Sequence, residues 1–166
     1  IIVDTTECLM KKPTHPAVCR TFYSGYKKQV TLKYEVAISE LSGFIVWINS
    51  PFSGPTHDLI IFCFGLMGKM DMLSQVVALA DGAYVGEQDY LVTPPRPYKH
   101  LNPIQKAYYQ SLSRRRILIE NFFARLKGFA AFSNKWRHSK EKHVMCFHVL
   151  TQILNVEFLS LPLRAN

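Results

Sequence analysis

Arg114 to Lys127 is the stretch that most constrains this chain. Ile119, Phe122, Phe123 and Leu126 recur at i, i+3, i+4 and i+7, a spacing that predicts a helix with one apolar face. Glu120 stands at the margin of that face. Arg116, four residues earlier, and Lys127, seven later, share its side of the helix. A carboxylate between two cations beside an apolar stripe suits phosphate chemistry. A solvated charge ladder on a surface helix is the other reading, and this stretch alone does not decide between them.

The rest of the chain supplies a sheet for that helix. Ile1-Ile2-Val3 reads as a buried strand ending at Asp4, and Thr5 to Val18 as a loop carrying two prolines. Tyr23 to Lys28 reads as a turn. Gln29 to Ser39 alternates, with Val30, Leu32, Tyr34, Val36 and Ile38 on one side. It predicts a strand that forms a hairpin through Ser42-Gly43 with Phe44 to Ile48. Pro51 to Pro55 reads as a loop, and His57 to Leu66 as a short helix with Thr56 as its cap. Val76 to Ala80 is a buried strand ending at Asp81. The proline-rich stretch from Pro94 through Pro95, Pro97 and Pro103 reads as loop. A helix over Ile104 to Lys127 stops at Gly128. A basic connector, Ser133 to Lys142, leads to a last helix from about His143 to Phe158. Strands alternating with helices predict one α/β domain over residues 1–166, a mixed sheet with helices packed on it.

The 166 residues are 48% hydrophobic, enough for a real core. The formal net charge is +8, and the basic residues gather at Lys11-Lys12, Lys27-Lys28, Arg114 to Arg116 and Arg125 to Lys142. Such clusters point to a polyanionic partner, most often nucleic acid. The four cysteines form no CxxC pair, so zinc spacing is absent and reduced, buried thiols of an intracellular protein are expected. No apolar run reaches membrane length. No signal peptide is visible, and a chain that opens in mid-strand reads as part of a longer one.

The acidic residues fall at element ends. If the first and fourth strands lie side by side, Asp4 and Asp81 project from neighbouring tips, a favoured position for a site. Asp58 opens the early helix, and helix packing would bring Glu120 to the same spot. Carboxylates gathered there stay ionised only with a cation among them, and hard oxygen donors favour Mg²⁺. Taken singly, each of these residues reads as a turn or capping residue.

Several blocks of residues together resemble a known family. Val3-Asp4-Thr5-Thr6-Glu7-Cys8 is similar to its Asp-Gly/Cys-Thr-Glu block, with Thr5 where Gly is common. Tyr23 to Lys28 followed by Thr31-Leu32-Lys33, Gly54-Pro55-Thr56-His57-Asp58, and Leu79-Ala80-Asp81-Gly82-Ala83-Tyr84 match further blocks, although Gly82-Ala83 departs from Lys-Gly. Arg116, three residues, Glu120, six residues and Lys127 follow its Tyr-Arg-Glu-Lys signature, with Ser113 in place of the Tyr. The ending, Lys142-His143 through Pro162-Leu163-Arg164, also resembles it. These are the DDE superfamily transposases of the IS4/IS5 and PIF/Harbinger type.

The resemblance implies an RNase H-like fold and a catalytic triad of Asp4, Asp81 and Glu120, with Asp58 a fourth candidate ligand and a rival to Asp81 for the second place. It implies two Mg²⁺ (or Mn²⁺) ions, with Asp4 bridging, and cleavage of DNA phosphodiesters followed by strand transfer. Arg116 and Lys127 would hold phosphates, and Lys27, Lys28, Arg125, Lys135 and Arg137 would track the DNA backbone. Trp136 is expected to anchor the connector, and Tyr84 to pack behind Asp81. The implied partners are transposon-end and target DNA, a second copy in a homodimer, and a separate DNA-binding protein, since no helix-turn-helix module is visible. The implied location is the nucleus in a eukaryote and the cytoplasm in a bacterium. A domesticated relative that binds DNA or protein without cutting is the alternative.

Overall fold

The computed structural model describes residues 1–72, 76–94 and 101–163. Its strands are β1 (Ile2–Leu9), β2 (Tyr23–Ser24), β3 (Gln29–Ile38), β4 (Ile45–Ser53), β5 (Ala78–Leu79) and β6 (Leu91–Val92). Its helices are α1 (Pro16–Phe22), α2 (Asp58–Phe64), α3 (Leu66–Met70), α4 (Pro103–Leu126), α5 (Ala130–Ser133) and α6 (Lys140–Glu157). The strands form one mixed sheet. β3 lies between β1 on one side and β2 and β4 on the other, all antiparallel to it, and β5 and β6 continue beyond β1 as parallel neighbours. The expected adjacency of the first strand and the strand before Asp81 is present, with Ile2 opposite Leu79.

β3 is buried on both faces, and this organises the core. Leu32, Tyr34, Val36 and Ile38 face a cluster built with Ile2, Cys8, the α4 residues Ile119, Phe122 and Leu126, and Phe147 and Leu154 of α6. Ala37, with Val3 of β1, faces a second cluster with Phe62, Leu66, Met70 and Tyr84. The sheet is therefore sandwiched between α4 and α6 on one side and α2 and α3 on the other. Each fully buried large apolar side chain contributes about 1.5–3 kcal/mol.

The hairpin between β3 and β4 forms as expected. Gly43 closes it at φ 75°, a left-handed conformation that glycine adopts without a Cβ penalty, and Ser39 N–H donates to Phe44 O at 2.8 Å. The helix over Ile104 to Lys127 is α4. Asn102 and Gln105 cap it reciprocally, and Pro103 occupies its first turn, where a missing N–H costs nothing.

Four expectations need correction. The first strand does not end at Asp4 but runs to Leu9, because Thr5 to Leu9 pair with β3 residue by residue. The Thr5–Val18 segment also holds a helix, α1, which begins at Pro16. β4 continues through Pro51 to Ser53: between Phe52↔Lys33 and Asn49↔Glu35 two residues of β4 face one of β3, a bulge on an outer strand, where proline is tolerated. The cap of α2 is His57, whose ring accepts from Leu59 N–H at 3.3 Å, rather than Thr56. Smaller shifts concern the last helix, which starts at Lys140 because Ser139 caps it, and β5, which is confined to two residues. Pro95, Pro97 and Arg164 lie outside the described residues. Among the described residues no helix is long and apolar enough to cross a membrane.

Candidate active site

β5 pairs with β1 only at Ile2↔Leu79 and then ends. Beyond that rung, among the described residues, β1 has no strand on this side. A cleft of about 480 Å³ opens there, lined by Asp4, Asp58, Asp81, Lys33, Lys127 and their neighbours. Local chemistry places each group.

Asp4 alternates with Ile2 and Cys8, so it points toward α4. Arg116 of that helix reaches it, Nη2 lying 3.8 Å from Oδ2. Thr5 N–H donates to Asp4 Oδ1 at 2.8 Å. The Asp4 carboxyl is nonetheless pushed up to about 7. Burial is the main cause, and the charges of Asp81 and Asp58 add to it, against the pull of the Thr5 N–H and Arg116. Asp81 caps the short 3-10 turn Gly82–Tyr84, its Oδ1 accepting from Ala83 N–H at 2.7 Å. Tyr84 packs behind it, edge-on to Phe62.

Asp58, the first residue of α2, is engaged differently. Its Oδ1 accepts from Thr5 Oγ1 at 2.8 Å and from Lys33 Nζ at 3.0 Å. Lys33 also donates to Thr56 O at 2.9 Å and sits 3.8 Å from Glu7 Oε1. Glu7 in turn accepts from Thr31 Oγ1 at 2.7 Å. Lys33, 9% exposed, is thus a nearly buried cation in the cleft, held by two carboxylates. Behind it Glu35 is fully buried, bonded to Trp47 Nε1 at 3.2 Å, and its carboxyl is pushed up to about 7, chiefly by burial.

Lys33, Glu7 and Glu35 were not among the sequence-derived site residues. The signal was present, since Thr31, Lys33 and Glu35 alternate with the apolar residues of β3. An alternating strand is ordinarily read as having one wet face, whereas here both faces are covered.

Glu120 is solvent-exposed and does not line the cleft. Its position on α4 is nevertheless well defined. Arg116 touches Asp4, and Phe123 and Lys127 line the cleft. Residues 116, 120, 123 and 127 fall on one side of a helix, so Glu120 sits at the rim, between Arg116 and Lys127. Among the described residues no group of three or more His, Cys, Asp or Glu is placed to hold a metal ion.

The basic residues divide. Lys27 and Lys127 line the cleft. Lys28 holds a left-handed φ of 52° and, with Lys135, lines a neighbouring pocket. Arg137 is exposed on the connector. Arg125, expected to follow DNA, is instead occupied in structure: it donates to Leu161 O at 2.6 Å and Pro162 O at 3.0 Å, lies 3.8 Å from Glu157, and covers the Phe158 ring. Trp136 anchors the connector as expected. Its backbone pairs with Leu9 and Lys11, and its indole N–H donates to Ser139 O at 2.9 Å.

Comparison with known proteins bears directly on this arrangement. A probable transposase for insertion sequence element IS702 from Microchaete diplosiphon is 26% identical over 162 residues, which is 95% of this chain and 56% of the relative. The chain thus spans little more than half the length of that relative. No solved structure matches it. The family model for the DDE superfamily endonuclease matches residues 3–155, a span that begins one residue before Asp4 and includes Asp58, Asp81 and Glu120. With nearly the whole sheet, the cleft, α4 and most of α6 inside that match, this chain belongs to the DDE superfamily endonucleases.

Proposed function

We propose that the chain is the cutting domain of a transposase, an RNase H-like, divalent-metal-dependent DNA endonuclease that also transfers strands. The observation that carries this reading is the meeting of Asp4 and Asp81 beside Arg116, where β5 ends and β1 runs on uncovered.

The site suits a hard cation. Asp4 is pushed up to about 7 with Asp81 and Asp58 among the causes, a repulsion that a bound cation relieves, and the donors are all oxygens. Asp4, Asp81 and Glu120 would hold Mg²⁺ or Mn²⁺. Asp58 is the weaker fourth candidate, because its Oδ1 already serves Thr5 and Lys33. When bound, such ions supply charge neutralisation at phosphate oxygens and activation of a water or a 3′-hydroxyl.

The chain's own groups do the positioning. Arg116 is fixed close to Asp4 and would grip a non-bridging oxygen of the phosphate to be cut. Lys127 and Lys27 would seat the flanking phosphates, and Lys33 keeps a positive charge in the cleft, its ammonium pinned by Thr56 O and Asp58 Oδ1. DNA is the substrate, and the chemistry suits a pair of copies acting on paired ends, with end recognition supplied by another module or protein.

Nicking of supercoiled plasmid in Mg²⁺ or Mn²⁺ tests the reading. Wild type cuts, while Asp4→Asn and Glu120→Gln each lose at least about a hundredfold in rate. Equal cutting by wild type and Glu120→Gln sinks the enzyme reading. The rival, a domain that binds DNA without cutting, draws on the solvent-facing place of Glu120 and expects no nicking at all.

A further inference from the structure

The carboxylate cleft holds one aromatic ring that the endonuclease reading leaves unused. Tyr26 lines it together with Asp4, Asp58 and Asp81, and the residue is 84% exposed. A lone exposed apolar side chain on an outer surface needs no explanation. This ring stands instead over a cleft whose walls are mostly charged or hydroxyl-bearing. Phe123, the other aromatic that lines the cleft, is buried in the core. Tyr23, Phe64 and Tyr108 are exposed but do not line it. Trp136, the aromatic of the basic connector, is engaged in structure, with its N–H on Ser139 O at 2.9 Å and its ring against that of His143.

A built turn holds the ring in place. Tyr23 and Ser24 pair with Val30 and Gln29 of β3, so residues 25–28 form the tip of a hairpin. Inside the tip the buried Ser24 hydroxyl accepts from Lys27 N–H at 3.2 Å. Lys28 closes it with a left-handed backbone, at φ 52°, a conformation uncommon outside glycine. Lys27 Nζ lies over the Tyr26 ring, 4.8 Å from its centroid, and steadies it from one face. With the residue so exposed, the opposite face of the ring is open to a ligand.

We infer that Tyr26 is a stacking platform for an unpaired nucleobase in the carboxylate cleft. Inside a duplex each base is covered on both faces by its neighbours. A protein ring can therefore stack only on a base that is unpaired, terminal or turned out of the helix. Every base offers a flat face, so such a contact selects unpaired over paired nucleotides and is tolerant of sequence. The substrate class this names is DNA with an unpaired nucleotide, such as a frayed end, rather than continuous duplex. The inference rests on the endonuclease reading for placing DNA in the cleft, but it can be tested apart from cutting.

Binding of short fluorescent duplexes is measured without divalent ions, so that nothing is cleaved. Each duplex ends in one unpaired nucleotide, on the 3′ strand in one series and on the 5′ strand in another, and the overhang carries either a base or an abasic sugar. The two forms have the same phosphates, so their ratio isolates the base. Wild type binds the base form at least about fivefold more tightly than the abasic form in one of the series. Tyr26→Ala and Tyr26→Leu bring that ratio close to one, and Tyr26→Phe keeps it. The dependence of affinity on salt is the same in all four proteins, because no charge is removed, and so is the urea midpoint, because the side chain is exposed. A wild type indifferent to the base in both series overturns the inference, as does a ratio that survives in Tyr26→Ala. Loss of the ratio in Tyr26→Phe also overturns it, since the contact would then belong to the hydroxyl. Plasmid nicking in Mg²⁺ or Mn²⁺ separates the two ideas: cutting without discrimination removes the stacking role alone, and discrimination without cutting removes the nuclease reading alone.

Discussion

Lys33 occupies a place in β3 that sequence patterning assigns to solvent, yet its ammonium lies within 3.0 Å of Asp58 and 3.8 Å of Glu7. A nearly buried ion pair adds little over an apolar replacement, but stranding one partner is costly. Asp58→Ala is therefore expected to destabilise the fold by about 1–3 kcal/mol, and Lys33→Met in the same chain to restore much of the loss. Urea unfolding of the two single variants and the double variant checks this; additive losses would show that the two groups are independent. The same residues show what was legible. Asp4 and Asp81 could be read because each follows an apolar run, and the chain does bring them to one cleft. The alternation of β3 marked Lys33, but its place in a buried cluster was not legible, because its partners Glu7 and Asp58 come from two other elements distant in sequence. Arg125 adds a contact that no local window contains: a cation in a basic run donates to carbonyls distant in sequence, those of Leu161 and Pro162.

Among the elements, α4 was the most visible because period, cap and stop agree along it. Its face does two jobs. Ile119, Phe122 and Leu126 are fully buried against the sheet, while Arg116, Phe123 and Lys127 turn to the cleft. Phe122→Ala removes a ring packed beside Phe123 and Phe158 and is expected to cost about 3–5 kcal/mol. A drop in the thermal or urea midpoint reads it, and a change within about 0.5 kcal/mol contradicts the packing described. The short elements were the hard ones. α1 was hidden because Pro16 was read as a breaker, although the first turn is where a helix accepts it. β4 was cut short at Pro51 because a bulge is set by the partner strand's register, which no local window contains. The extension of β1 past Asp4 was missed for a related reason: Thr5, Thr6 and Glu7 are polar, and only β3 explains why they are extended.

For the molecule as a whole, two acids and one histidine bear on the response to pH: partly buried Asp4 and fully buried Glu35 are pushed up, while buried His143 is held down to about 4 and acts in the opposite sense. Asp4 and Glu35 are both pushed up to about 7, chiefly by burial. Between their ordinary values and about 7 the native state holds protons that the unfolded chain has released. The part of the stability that Asp4 and Glu35 supply is therefore fully present below the ordinary carboxylate range and falls as pH rises toward about 7. Glu35→Gln removes one of these two titrations, so its urea midpoint is expected to change less between about pH 5 and about pH 8 than that of wild type, by up to about 3 kcal/mol in free energy. The measurement belongs in buffer without divalent ions, and an unchanged pH dependence would mean that Glu35 is not held protonated. The joint between β1 and β5 has a mechanical consequence. Among the described residues one rung, Ile2↔Leu79, with hydrogen bonds from Leu79 N–H to Ile1 O and from Ile1 N to Val77 O, links the antiparallel half of the sheet to the parallel half. Asp4, in β1, and Asp81, just past β5, thus stand on two strands whose pairing is a single rung, and whatever grips both carboxylates becomes a brace across it.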